Sequence, residues 1–83
     1  MQRLQGKKAI VTGAAQGLGA ALLERLGREG CNLTGWDVNG PAMDETARAV
    51  AAQTGRQVHG RSVDITDAAA VRRAVDDDAE RLG

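Results

Sequence analysis

The segment Thr12-Gly13-Ala14-Ala15-Gln16-Gly17-Leu18-Gly19 lies between a short apolar run, Ala9-Ile10-Val11, and a stretch carrying Leu18, Leu22, Leu23 and Leu26. Three of those leucines are spaced by four, with Leu23 beside Leu22, which predicts an amphipathic helix. The layout is strand, glycine-rich turn, helix. Gly13 lets the chain turn off the strand end, where a positive φ costs little only without a Cβ. Gly17 removes a side chain where a ligand would approach the backbone, and Gly19 lets helix and strand pack closely. The free N–H groups and positive dipole end of the helix then form an anion site.

Outward from this turn, the spacing G-x-x-x-G-x-G behind a Thr differs from the commoner G-x-G-x-x-G of dinucleotide folds. An acid, Asp37, follows eighteen residues after Gly19, at the end of a second expected strand, about Asn32 to Trp36. A carboxylate there accepts hydrogen bonds from the 2′- and 3′-hydroxyls of an adenosine ribose and repels a 2′-phosphate. Turn, helix and acid together describe a cradle for a dinucleotide. The stretch with its strand and helix resembles the short-chain dehydrogenase/reductase family, and the resemblance extends over essentially all 83 residues.

That resemblance carries further expectations. In the family, a basic residue before the second glycine or after the ribose acid often holds the phosphate of NADP; here those positions are Gln16 and Val38, which favours NAD(H). The stretch Val63-Asp64-Ile65-Thr66 is similar to the family motif in which an Asp meets the adenine amino group and the next backbone amide meets the ring. The expected cofactor-binding residues are Gly13, Gln16, Gly17, Leu18, Gly19, Asp37, Val38, Asp64 and Ile65. The family's hydride transfer uses a Ser, a Tyr and a Lys four residues after the Tyr, the Tyr serving as acid or base. This sequence has no Tyr, its lysines are Lys7 and Lys8, and its one Ser is Ser62. No catalytic residue is therefore expected in it. The chain reads as the N-terminal cofactor-binding part of a longer oxidoreductase, stopping before a fourth strand.

Along the chain, strands are expected at about Lys8–Thr12, Asn32–Trp36 and Gln57–Val63. Helices are expected from about Gln16 to Arg28, from Pro41 to about Gln53, and from an N-cap at Thr66 to the end. Gly30 and Gly55 stop the first two helices. Met43, Ala47, Val50 and Ala51 form the inner stripe of the second. Ala68, Val71, Val75, Ala79 and Leu82 form that of the third, with Arg72, Arg73, Asp76, Asp77, Asp78 and Glu80 on a solvated face. Such alternation predicts an α/β fold, a partial Rossmann arrangement of three parallel strands in the order 3-2-1. Right-handed crossovers then put the first two helices on one face and the third on the other. Strand 1, whose continuous apolar run suits coverage on both faces, is left as an unpaired edge that invites self-association.

Composition narrows the classes. Eighty-three residues make one domain at most, and 11 basic against 11 acidic side chains give no bulk attraction for nucleic acid or membrane surfaces. With one Trp and no Phe or Tyr, the core rests on Ala, Leu, Val and Ile. The single Cys31, read as a half-buried thiol, rules out an internal disulfide and fits a reducing compartment. The start, Met1 to Lys8, lacks the apolar core of a signal peptide, so a cytoplasmic location is expected. Trp36 and His59 read as structural, although Trp36 could flank an adenine, and no metal site is expected. The alternative to a dehydrogenase part is a free-standing, non-catalytic nucleotide-binding or interaction module, completed by a second copy along strand 1.

Overall fold

The computed structural model describes residues 6–82. Met1–Gln5 and Gly83 lie outside the described residues, and so does the Leu82 side chain assigned to the third helix's stripe. Three strands, β1 (Lys8–Thr12), β2 (Asn32–Asp37) and β3 (Val58–Ser62), alternate with three helices, α1 (Gly17–Arg28), α2 (Gly40–Thr54) and α3 (Ala68–Leu82). The sheet is parallel with β2 central and β1 and β3 on either side. This is the expected order.

Paired residues in parallel strands project to the same side, so the register sorts the two faces. Leu33 and Gly35 of β2 project with Ala9 and Val11 of β1. On that side Val11, Ala14, Leu23, Cys31, Leu33, Met43, Ala47 and Val50 form the main core beneath α1 and α2. Burying a Leu or Met side chain fully contributes roughly 1.5–3 kcal/mol, and Leu23, Leu33 and Met43 are each completely enclosed. On the opposite side Trp36, Val63 and Ala74, with Val71 against them, form a smaller core beneath α3.

Glycines let the helices close on the sheet. A Cβ on Gly19 would run into the Gly13 carbonyl oxygen, and one on Gly35 would meet the Met43 side chain. Gly55 ends α2 in the left-handed conformation with φ 69°, its N–H donating to the Ala51 carbonyl.

Several expectations are corrected. The inward face of α1 is Leu23 and Gly27, flanked by Leu26; Leu18 is 87% exposed and Leu22 47% exposed. Four-residue spacing gave the period of the stripe but not which side turns inward. On α3 the buried residues are Ala74 and Asp78, with Val71 half-buried, whereas Ala68, Val75 and Ala79 are exposed. The buried face is thus rotated from the apolar stripe, and Asp78 leaves the solvated set. The cap of α3 is Asp67, not Thr66: its Oδ1 accepts from the Ala69 and Ala70 N–H groups at 3.1 Å each. Cys31 is fully buried, not half-buried, and burial pushes its thiol above the ordinary range. Strand β1 is covered on one face only, since Val11 is buried while Ile10 is 37% exposed.

The contact at Gly19 yields a test. Gly19→Ala places a methyl group against backbone, which cannot rotate away, so a loss of about 1–3 kcal/mol is expected. Urea unfolding of the variant should show an earlier midpoint at an unchanged slope, and an unaltered midpoint would contradict the close packing.

Candidate functional site at the strand tips

The C-terminal ends of β1, β2 and β3 lie side by side, and the loops that leave them enclose a hollow of about 260 Å³. Gly13, Trp36, Asp37, Val38, Val63 and Ile65 line it. In open α/β sheets ligands bind outside this edge. The elements hold one another in place by backbone bonds: the Ala14 N–H donates to the Trp36 carbonyl and the Val63 N–H to the Asp37 carbonyl, each at 3.1 Å.

The glycine turn has the conformation its sequence implies. Gly13 and Gly17 carry φ of 64° and 61°, in the left-handed region that favours glycine. A Cβ on Gly17 would meet nothing within 4 Å, so the backbone there is open to a ligand. Gln16 is the N-cap of α1 in extended conformation, makes no side-chain capping bond, and no acid occupies the first turn. Among the described residues, neither a capping side chain nor a first-turn acid competes with an anion for the amides that begin α1. From the other side the Thr46 hydroxyl donates to the Ala15 carbonyl at 2.6 Å, fixing the turn to α2.

Asp37 is half-buried. Its Oδ2 accepts from the Ala15 N–H at 3.2 Å and its Oδ1 from the Asn39 N–H at 3.0 Å. A carboxylate offers about four acceptor positions, so the two bonds orient the group and leave capacity for further donors. One of them ties the end of β2 to the glycine turn. The loop beyond is held by the Ser62 hydroxyl donating to the Val38 carbonyl at 3.2 Å, while Val38 itself is exposed.

At the tip of β3 the residues divide. Ile65 lines the hollow and is exposed; Asp64 is exposed but is not among the lining residues. Asp64 Oδ1 takes both the Thr66 hydroxyl at 2.6 Å and the Thr66 N–H at 2.9 Å. These two bonds, the hydroxyl's first, hold its carboxyl below the ordinary carboxylate range. Asp64 is accordingly an ionised acceptor at neutral pH.

The hollow therefore brings together Gly13, Asp37, Val38 and Ile65 from the expected set. Gln16, Gly17, Leu18 and Gly19 stand at the start of α1, and Asp64 stands beside Ile65. Sequence reasoning treated Trp36 as structural and did not select Val63, yet both line the hollow. Their position on the strand tips was the available signal. Among the described residues no group of three or more His, Cys, Asp or Glu side chains could hold a metal ion, and no helix is long and apolar enough to cross a membrane.

Comparison with known proteins places this geometry. The family model described as short chain dehydrogenase matches residues 7–83. The chain is 43% identical over 84 residues to D-threitol dehydrogenase of Mycolicibacterium smegmatis, with 98% of this chain and 31% of that protein covered. It is 40% identical over 93 residues to an uncharacterized NAD-dependent oxidoreductase of Mycobacterium tuberculosis, with 96% of this chain and 34% of that protein covered. Among solved structures, a short chain dehydrogenase from Mycobacterium paratuberculosis bound to NAD superimposes with a TM-score of 0.90 at 32% identity, covering 98% of this chain and 34% of the other. The chain spans about a third of the length of each of these proteins.

The Asp64 environment gives a second test. Thr66→Val removes the hydroxyl donor, so the Asp64 carboxyl should titrate at higher pH, nearer its ordinary value. Because the folded-state value is depressed, the stability Asp64 contributes is present above the ordinary carboxylate value and lost as pH falls through the depressed one. Carboxyl ¹³C titration by NMR reads the shift, and identical curves for the two proteins would contradict the role given to Thr66.

Proposed function

The chain belongs to the short-chain dehydrogenase family, and on that premise we propose that it is the NAD(H)-binding front part of an oxidoreductase. In the longer protein, hydride would pass between nicotinamide and an alcohol or carbonyl substrate. The observation that carries this reading is the single hollow shared by Gly13, Asp37, Val38 and Ile65. Pyrophosphate would rest on the backbone from Gly13 through Gln16, Gly17 and Leu18 to Gly19, where no Cβ intervenes at Gly17. The ribose hydroxyls would donate to the remaining acceptor positions of Asp37. Adenine would enter between Val38 and Ile65, with its amino group donating to Asp64. Nicotinamide supplies the hydride chemistry when bound; residues of this chain serve to bind and orient the adenosine half.

Asp37 also carries the preference for NAD over NADP. A 2′-phosphate would face its negative charge, and neither Gln16 nor Val38 supplies a cation. The NAD named for the M. paratuberculosis structure and for the M. tuberculosis relative supports the same choice. With no Tyr in the sequence, the acid–base chemistry belongs to residues outside this chain. A cytoplasmic location fits the single, buried free Cys31.

Calorimetric titration of the 83-residue chain should show NAD and AMP binding alike and NADP at least about tenfold more weakly, the equivalent of one poorly tolerated charge contact. Asp37→Ala combined with Val38→Arg should reverse the order. Val38→Arg alone, at an exposed position, should already narrow the gap. An unchanged NAD-to-NADP ratio in both variants would contradict the assignment of Asp37.

One observation favours a second role, as a self-associating module. The outer edge of β1 pairs with no strand among the described residues, and Lys8, Ala9 and Ile10 line a groove of about 280 Å³ with Ala79. Nearby α3 leaves Val75 exposed. Two copies joined edge to edge through β1 would cover this surface. Sedimentation equilibrium should then detect a concentration-dependent dimer that Ile10→Lys abolishes, and a monomer at every concentration would exclude this role.

A further inference from the structure

Asp78 is a completely buried acid on α3, outside the hollow. Its Oδ2 accepts from the Trp36 indole Nε1–H at 2.6 Å, and its Oδ1 faces Arg61 Nη1 at 3.4 Å. Arg61 in turn donates to the exposed Asp77 at 3.0 Å. The bond to the indole is short, and the Arg61 guanidinium beside the other carboxyl oxygen offsets the burial of the acid. Trp36 and Val63 belong to two surroundings at once: they form the small core beneath α3 with Ala74, and they line the hollow at the strand tips.

We propose that Asp78 is a positioning residue for the adenosine pocket, anchoring through its bond to the indole N–H the residue Trp36, which borders the hollow at the tip of β2. The inference rests on the reading of that hollow as the adenosine site and adds a residue to it from an element that does not line it. Trp36 is flanked by Asp37, which would hold the ribose, so a shift of Trp36 would disturb the strand end that presents the acid. A buried indole N–H left without its acceptor is costly, so Trp36 would be held less firmly at the edge of the hollow.

The sequence supplies its own probe, because Trp36 is its one tryptophan. Its single indole resonance in a ¹H–¹⁵N spectrum should lie downfield, exchange slowly with solvent and move during AMP titration. Asp78→Ala should shift that resonance upfield and weaken AMP binding about tenfold, the affinity equivalent of one hydrogen bond's net contribution. Asp78→Asn keeps an acceptor for the indole and should recover most of the affinity, a rescue that general loss of packing would not show. The amide spectrum reports in each case that the chain is folded. If the wild-type chain binds AMP but the indole does not move, or if both variants bind AMP as the wild type does, the positioning role is overturned and the pocket stands. Should Asp78→Ala not fold, the indole shift in the wild type and Asp78→Asn decides in the same way. No AMP binding by the folded wild type overturns the pocket reading and this inference with it.

Discussion

The structure depends on a contact between two pieces of backbone. Where α1 begins, Gly19 lies so close to the Gly13 carbonyl that no side chain fits between them. The approach brings the amino end of a twelve-residue helix to the tip of β1, and a helix start exposes N–H groups that its own turns cannot satisfy. Any residue with a Cβ at position 19 would push the helix away from the strand. The anion-receptive end would then leave the sheet edge on which Asp37 and Ile65 stand.

The other elements transmit this constraint sideways. Asp37 joins the end of β2 to the glycine turn through the Ala15 amide, and Thr46 joins α2 to the same turn through the Ala15 carbonyl. Met43, enclosed between Gly35 and Gly60, seats α2 against the sheet. Both polar groups of the Ala15 peptide unit neighbourhood are thus held by different elements. These bonds hold the strand tips together, and the acid that would meet a ribose is already aligned by the Ala15 and Asn39 amides. On the opposite face Asp78 is a buried acid in a Trp36–Asp78–Arg61 network in which each carboxyl oxygen has a partner, the condition under which such a group is tolerated.

Much of this was readable in the sequence for a physical reason: glycine spacing and the ends of apolar runs are local properties. Gly13, Gly17 and Gly19 stood out because turn and close approach constrain backbone, and Asp37 because it closes the second strand eighteen residues after Gly19. Given the strand order, the faces on which the helices lie followed from the right-handed crossover. What escaped reading depended on orientation, which needs the rest of the molecule. Leu18 and Leu22 have helical spacing but sit to the side of the face that Leu23 presents to the sheet. Asp78 was counted among surface charges because two further acids precede it. Yet with Val71, Ala74 and Val75 it completes the i, i+3, i+4, i+7 pattern of one helix face, and an acid in that place was a detectable signal. Thr66 and Asp67 are both good N-caps by type, and only the bonds to Ala69 and Ala70 distinguish them.

The central claim is that three neighbouring strand tips form one adenosine site. Amide chemical-shift mapping of the 83-residue chain during addition of NAD tests it most directly. The account predicts that the amides of Gly13 to Gly19, of Asp37 and Val38, and of Asp64 and Ile65 shift together along curves that share one dissociation constant. Shifts confined to a single one of these loops, or centred on the groove between Ile10 and Ala79, would contradict it.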